Sequence, residues 1–265
     1  MRVLILGLGR MGSLLASTLP AAGHEVHGYD ISERVRESAR SSGVEVVESP
    51  EPGAYDAVIA AVPLDRSADV AAEIGRTIGR GAIYADVSTL KADVNRALRS
   101  LGPGPIKVSV HPLFGRGARG IAGRPMVLTP VEDEAREVRA ASDLFVGAEM
   151  LVMDEAVHDE AVAYSIALPH VLGYLFRWIS RGGPALPTTS RRLQELAAAV
   201  EVEEPDLTAQ LISAAAGSRV LDLLEEAISA IRSSRDREPL LRSMRGDWAE
   251  RPALYEAAYR ALDLS

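Results

Sequence analysis

The run Gly7-Leu8-Gly9-Arg10-Met11-Gly12 constrains the fold of this chain more than any other feature. It stands directly after an apolar, strand-like stretch at 2–6 and opens a helical pattern near Met11. Glycine is required there for three separate reasons. The first permits a tight turn, the second lets backbone approach a pyrophosphate with no Cβ in the way, and the third lets helix and strand pack closely. The free N–H groups at the helix start then bind phosphate oxygens. This placement predicts a dinucleotide site at the first βα turn of a parallel sheet.

The sequence that follows repeats the same alternation. Strand signals fall at 2–6, 25–29, 57–61, 83–86, 107–110 and 125–129, with helical stretches starting near Met11, Ser32, Ser67, Thr89 and Asp133. That is an α/β, doubly wound Rossmann pattern over 1–153. From 154 to 265 the strand signals stop. Helices are expected at 155–181, 190–202, 205–232 and 238–264, with Gly182-Gly183-Pro184 and Leu186-Pro187 separating the first two. Two domains result, and the cleft between them is the natural place for a site. At 265 residues and 47% hydrophobic content, each half can bury a core. The apolar opening at 3–6 is too short for a signal peptide and runs at once into the glycine turn.

Charge and composition narrow the partners. A formal net charge of -8 argues against general affinity for nucleic acid or anionic membrane, so an anionic substrate must be met by local arginines. Apolar runs are broken too often for a membrane span, which makes a cytoplasmic location the simplest expectation. The absence of cysteine excludes disulfides, thiolate metal sites and cysteine nucleophiles.

At the cofactor end, Asp30 closes the second strand eighteen residues past Gly12, where a carboxylate would bond both adenosine ribose hydroxyls and repel a 2′-phosphate. NAD is therefore expected over NADP, with Arg34 one helical turn on able to soften the choice. Asp30 would serve equally as a plain helix N-cap. Val62-Pro63, after the 57–61 strand, would form cofactor wall.

At the chemical end, His111-Pro112-Leu113-Phe114-Gly115 follows the 107–110 strand, which aims His111 into the ligand crevice. Histidine suits proton movement near neutral pH, and an alcohol losing hydride needs an acceptor for its hydroxyl proton. An isolated histidine would more often cap a loop. Asp86-Val87-Ser88-Thr89-Leu90-Lys91 sits at another strand end and brings two hydroxyls and an ammonium to the same crevice. His158-Asp159 and Leu168-Pro169-His170 share one long helix. Twelve residues separate the two histidines, a little over three turns, so they face roughly the same way but lie about 18 Å apart along the axis. Both cannot touch one small ligand, and no metal site is expected from them.

The glycine fingerprint, 86–91, 111–115, His158-Asp159 and Leu168-Pro169-His170, in this order, resemble the prephenate dehydrogenases of tyrosine biosynthesis over nearly the whole chain. The resemblance implies an all-helical second half that dimerises, and NAD-dependent oxidation of prephenate with loss of carbon dioxide to give 4-hydroxyphenylpyruvate. It assigns His111 to the ring hydroxyl, Thr89 to the same group with Ser88 as its neighbour and backup, and His170 to substrate contact from the helical half. Lys91 would orient its loop or help hold an anion, and would serve equally as a surface lysine. His170 would equally be a core residue.

Two departures concern the substrate. Ala167 stands where many members carry an earlier histidine, and Ala199 where many carry a carboxylate-binding arginine. The carboxylates then need Arg191, Arg192 or Arg219, or Arg116 and Arg119 after the histidine loop, because guanidinium binds carboxylate bidentately. Each of these would equally be a solvated charge.

Three functions stay in view: a dehydrogenase of prephenate, arogenate or an amino-substituted analogue; a hydroxy acid dehydrogenase; and a non-catalytic NAD-binding sensor. A hydroxy acid enzyme would want a lysine on the helix at 155–181, which has none. The sensor would bind NAD without turnover. The apolar, Ala-rich helical half suggests a homodimer interface. No appended regulatory domain is expected after Ser265, so any inhibition by tyrosine would act at the active site.

Overall fold

The computed structural model describes residues 1–115, 117–180, 189–202, 205–217, 219–234 and 239. Two compact units divide the chain, Met1–Ser218 and Arg219–Ser265.

The first unit opens with a sheet of strands β1 (Arg2–Leu6), β2 (Glu25–Tyr29), β3 (Glu45–Val46), β4 (Ala57–Ala60), β5 (Ile83–Asp86), β6 (Ile106–Pro112), β7 (Pro125–Leu128) and β8 (Glu149–Val152). Their spatial order is β3-β2-β1-β4-β5-β6-β7-β8. The first six run parallel in the order of a dinucleotide-binding fold. β7 then reverses against β6, and β8 lies parallel to β7.

Helices α1 (Arg10–Thr18), α2 (Glu33–Ser41), α3 (Leu64–Ile74), α4 (Ala92–Ser100) and α5 (Glu134–Leu144) occupy the connections. Strand β1 shows why both faces must be covered. Val3 and Ile5 enter one buried cluster, and Leu4 and Leu6 enter the other. A two-residue period with apolar side chains on both faces can only be satisfied between two layers. Each such side chain contributes about 1.5–3 kcal/mol on full burial.

Helix α5 starts where its sequence predicts. The Asp133 carboxylate accepts from the Arg136 amide at 3.1 Å, while buried Glu137 accepts from the Val131, Glu132 and Asp133 amides at 2.7, 2.7 and 2.8 Å. These bonds satisfy donors that a helix start otherwise leaves open. Helix α4 begins at Ala92 rather than near Thr89, because Ser88 folds back on Asp86 and keeps 87–90 out of helical geometry.

After β8 the chain of this unit is helical. α6 (Glu155–Val162) passes through a π turn at Ala163–Ala167 into α7 (Leu168–Ile179), followed by α8 (Thr189–Glu201) and α9 (Pro205–Ala216). The wide turn lies just before Pro169, whose ring and missing N–H disfavour a regular helix there. It also corrects the register of the two histidines. On a regular helix twelve residues overshoot by about 120°, and one residue absorbed in a π turn closes this to about 20°.

In the second unit, α10 spans Val220–Ser233. The single helix expected over 205–232 is thus two, parted at Gly217, where glycine weakens helical continuity. The breaks at 182–184 and 186–187, the helix at 238–264 apart from residue 239, and Arg116 lie outside the described residues.

Candidate active site

The glycine turn has the shape its sequence predicts. Gly7 holds φ +88, and a Cβ on it would sit 2.4 Å from the Ala61 carbonyl oxygen. A Cβ on Gly12 would sit 1.8 Å from the Gly7 carbonyl oxygen, so α1 packs backbone to backbone on the turn. Around Gly9 no atom lies within 4 Å of where a Cβ would be. Packing among the described residues does not demand glycine there, whereas a pyrophosphate lying over the start of α1 does. The donors present therefore fit a dinucleotide.

Asp30 directly follows β2 beside this turn. Its carboxylate accepts from the Leu8 amide at 2.9 Å and the Ser32 amide at 2.8 Å. Ser32, not Asp30, is the N-cap residue of α2. Each Asp30 oxygen keeps a second lone pair for a ribose hydroxyl. Val62 and Pro63 follow β4 where the chain turns into α3, with the Val62 amide nitrogen 3.2 Å from the Gly7 Cβ position. Arg34 lines a groove of about 390 Å³ with Leu8, Gly9, Ser13 and Ser38. Arg10 donates to the Val202 carbonyl at 2.7 Å, tying the glycine turn to the end of α8.

Because β1, β4, β5 and β6 run parallel, the residues at their carboxyl ends share one sheet edge. His111 lies there. The strand that carries it is longer than the sequence suggests, continuing through Pro112, with His111 paired to Val127 of β7. His111 is 6% exposed. Its Nδ1 lies 3.0 Å from Nε2 of His158, the two rings standing perpendicular. His158 Nδ1 in turn lies 2.8 Å from Oδ1 of Asp159. The Asp159 carboxylate also accepts from the Lys91 and Ala92 amides at the start of α4.

Electrostatics keep His111 uncharged. Burial first, then the Lys91 ammonium and the His158 ring, lower its pKa to about 3, with Asp159 offsetting only in part. Burial pushes the Asp159 carboxyl up, but hydrogen bonds from His158 and the Ala92 and Lys91 amides outweigh it and leave the pKa below the ordinary value.

The loop after β5 serves the site from within. Lys91, fully buried, donates to Asp86 Oδ1 at 3.0 Å and to the Val110 carbonyl at 2.7 Å. Burial lowers its pKa against the pull of Asp86. The Ser88 hydroxyl is committed to Asp86 and to the Leu90 carbonyl. Lys91 is thus no surface lysine but ties its loop to β6, while the Ser88 hydroxyl, donating within the loop, keeps lone pairs to accept. Thr89 is only partly buried.

His170 is 7% exposed, and its Nδ1 donates to the Ile166 carbonyl at 2.8 Å. Its Nε2 is buried with no hydrogen-bond partner among the described residues, an orphan acceptor of the kind a ligand satisfies. Among the arginines, Arg191 and Arg192 each pair with Glu195 on α8, at 3.3 and 2.7 Å. Arg219 is the N-cap of α10 in the second unit, and Arg119 is exposed. Among the described residues, no group of His, Asp and Glu has metal-site geometry, and no helix is long and apolar enough to cross a membrane.

The strand order, the glycine turn and the carboxylate after β2 define a Rossmann, dinucleotide-binding fold followed along the chain by a helical region. More particularly, the chain belongs to the prephenate dehydrogenase family, since residues 15–153, over half of it, match the model of that family's nucleotide-binding domain. A cyclohexadienyl dehydrogenase of Zymomonas mobilis is 29% identical over 189 residues, 65% of this chain and 64% of that protein. A 4-amino-4-deoxyprephenate dehydrogenase of Streptomyces pristinaespiralis is 28% identical over 180 residues, 63% of this chain and 59% of that protein. The matches thus span less than two thirds of either relative. The fold is shared with the A. aeolicus prephenate dehydrogenase solved with hydroxyphenyl propionate and NAD+, at a TM-score of 0.71 and 19% identity, covering 100% of this chain and 99% of that one.

His158-Asp159 belongs to the motifs that carry the family resemblance, but the sequence alone assigns it no task. The signal was the adjacency of a base and an acid on a helix start. What was missing was the contact across 47 residues that seats His158 against His111.

Proposed function

We propose that this protein is a cytoplasmic, NAD-dependent dehydrogenase that converts prephenate to 4-hydroxyphenylpyruvate in tyrosine biosynthesis. The observation that carries this reading is His111, a neutral, nearly buried imidazole at the sheet edge that also holds the glycine turn, with no hydrogen bond to its Nε2 among the described residues. The turn at 7–12, Asp30, Val62 and Pro63 would hold NAD, which when bound supplies the hydride acceptor.

His111 Nε2 accepts the ring hydroxyl, and the Thr89 hydroxyl contacts the same oxygen. Hydride leaves the carbon bearing that hydroxyl, the bond to the ring carboxylate breaks, and its electron pair completes the aromatic ring as carbon dioxide departs. The product is a phenol, so the hydroxyl proton ends on the oxygen where it began. An acceptor with a pKa of about 3 suits this, since it shares the proton as positive charge develops without keeping it. His170 Nε2 would meet the substrate from the helical region, and one or more of Arg116, Arg119, Arg191 and Arg192 its carboxylates. Exposed Leu172, Trp178 and Ile179 on α7 support a homodimer through that region.

A second reading, an amino-substituted prephenate or arogenate as substrate, is favoured by Ala199 in place of the family arginine and by the Streptomyces pristinaespiralis relative. Initial rates with prephenate, arogenate and 4-amino-4-deoxyprephenate, each with NAD and NADP, separate these. Prephenate with NAD is expected to give the highest kcat/KM. A higher value for either amine would transfer the assignment to it, and no turnover of any of the three would sink both.

A further inference from the structure

We infer that His158 and Asp159 are positioning residues that hold His111 as its Nδ1–H tautomer and thereby keep Nε2 as the acceptor facing substrate. The inference rests on the proposed role of His111 and assigns the machinery behind it.

An ionised carboxylate only accepts, so the 2.8 Å contact between Asp159 and His158 Nδ1 puts a hydrogen on that nitrogen. When His158 carries that one proton, its Nε2 keeps a lone pair. That lone pair faces His111 Nδ1 at 3.0 Å, so His111 must donate there. The remaining lone pair of neutral His111 is then on Nε2. The opposite arrangement, with Nε2–H on His111, needs protons on both His158 nitrogens.

The far end of this chain is anchored. Asp159 cannot turn away from His158 without abandoning the Lys91 amide at 3.0 and 3.1 Å and the Ala92 amide at 2.9 Å. Those amides open α4, directly after the loop that bears Thr89. One carboxylate therefore fixes both the orientation of the histidine pair and the end of the hydroxyl loop. His158 is 2% exposed and does not reach solvent, which fits a support and not a second acid or base for the substrate. The second ring nitrogen of a histidine commonly sets what the first can do.

The test begins with the unaltered protein, 15N-labelled at histidine and with NAD bound. There are five histidines, so each ring is assignable by substitution. The expected spectrum shows His111 protonated at Nδ1 and bare at Nε2. A proton on Nε2 overturns the inference irrespective of any variant. Kinetics then follow with His158→Leu, which cannot accept, and His158→Gln, whose side-chain oxygen reaches about where Nε2 was. Losing a tautomer-setting partner is expected to lower kcat by roughly 100- to 1000-fold in the leucine variant with KM within about threefold, and glutamine to recover most of it. Unchanged kcat in His158→Leu beside an inactive His111→Asn overturns the positioning role and leaves the proposed function standing. Full activity in His111→Asn overturns both. Should the leucine variant fail to fold, the tautomer spectrum of the unaltered protein decides.

Discussion

The Lys91 ammonium donates to the Val110 carbonyl at 2.7 Å, so a buried charge clamps the strand residue immediately before His111. The same ammonium neutralises Asp86, and both side chains are wholly buried. Removing one partner strands the other, which costs about 3–5 kcal/mol. Lys91→Met is expected to lose that much stability in urea unfolding, and Lys91→Met with Asp86→Asn to regain much of it. Equal loss in both would show that the charge pair is not what the loop depends on.

The glycines of the turn separate folding from binding. Gly12→Ala drives a methyl into the Gly7 carbonyl and is expected to unfold the domain or lower its melting temperature sharply. Gly9→Ala meets no atom within 4 Å, so its stability should change by no more than about 1 kcal/mol through the weaker N-cap. NAD affinity should nevertheless fall tenfold or more. Calorimetric titration with NAD and thermal melts of both variants check this, and tight NAD binding by Gly9→Ala would contradict the placement of the pyrophosphate.

Asp30 has two tasks in this structure, and Asp30→Ala should expose both. Loss of its bonds to the Leu8 and Ser32 amides is expected to cost about 1.5–3 kcal/mol. Loss of the carboxylate should also shift the NAD-to-NADP ratio of kcat/KM toward NADP by at least about tenfold, because the repulsion of a 2′-phosphate is gone while Arg34 remains. An unchanged ratio would locate cofactor choice elsewhere.

Acid should destabilise the protein through His111. Its folded pKa, about 3, lies below the ordinary value of 6.5, so between these pH values the unfolded chain binds the extra proton. Stability is therefore full above pH 6.5 and falls as pH drops toward 3, with a slope from this group approaching about 1.4 kcal/mol per pH unit. Urea unfolding at intervals from pH 7 to about 4 should show that slope in the wild type and a shallower one in His111→Asn. Parallel slopes would refute the assigned shift.

Much of this architecture was legible because its causes are local. β1, β2 and β5 follow from apolar runs between glycine or polar turns, and the glycine fingerprint fixes the first βα unit. β3 is not legible because Glu45–Val46 is two residues long and pairs with β2 alone in the sheet. β8, at the other sheet edge, leaves Leu151 and Val152 exposed and gives no alternation to read. The division of 205–232 into two helices turns on a single glycine. At the site, His111 and the 86–91 loop were readable from their positions after strands. Whether Lys91 orients its loop, holds an anion or lies on the surface is not readable locally, because burial of its ammonium is a tertiary fact. The same holds for His158 and Asp159, whose partners come from strands and helices far away in the chain.

The role of His111 in the oxidation of a cyclohexadienyl acid by NAD is checked by the growth of NADH absorbance with prephenate, in wild type beside His111→Asn. Steady NAD reduction by the wild type is expected, with a loss of at least about 100-fold in kcat for the variant and NAD affinity preserved. Equal rates in the two proteins, or NAD binding with no reduction by prephenate or its amino analogues, would contradict it.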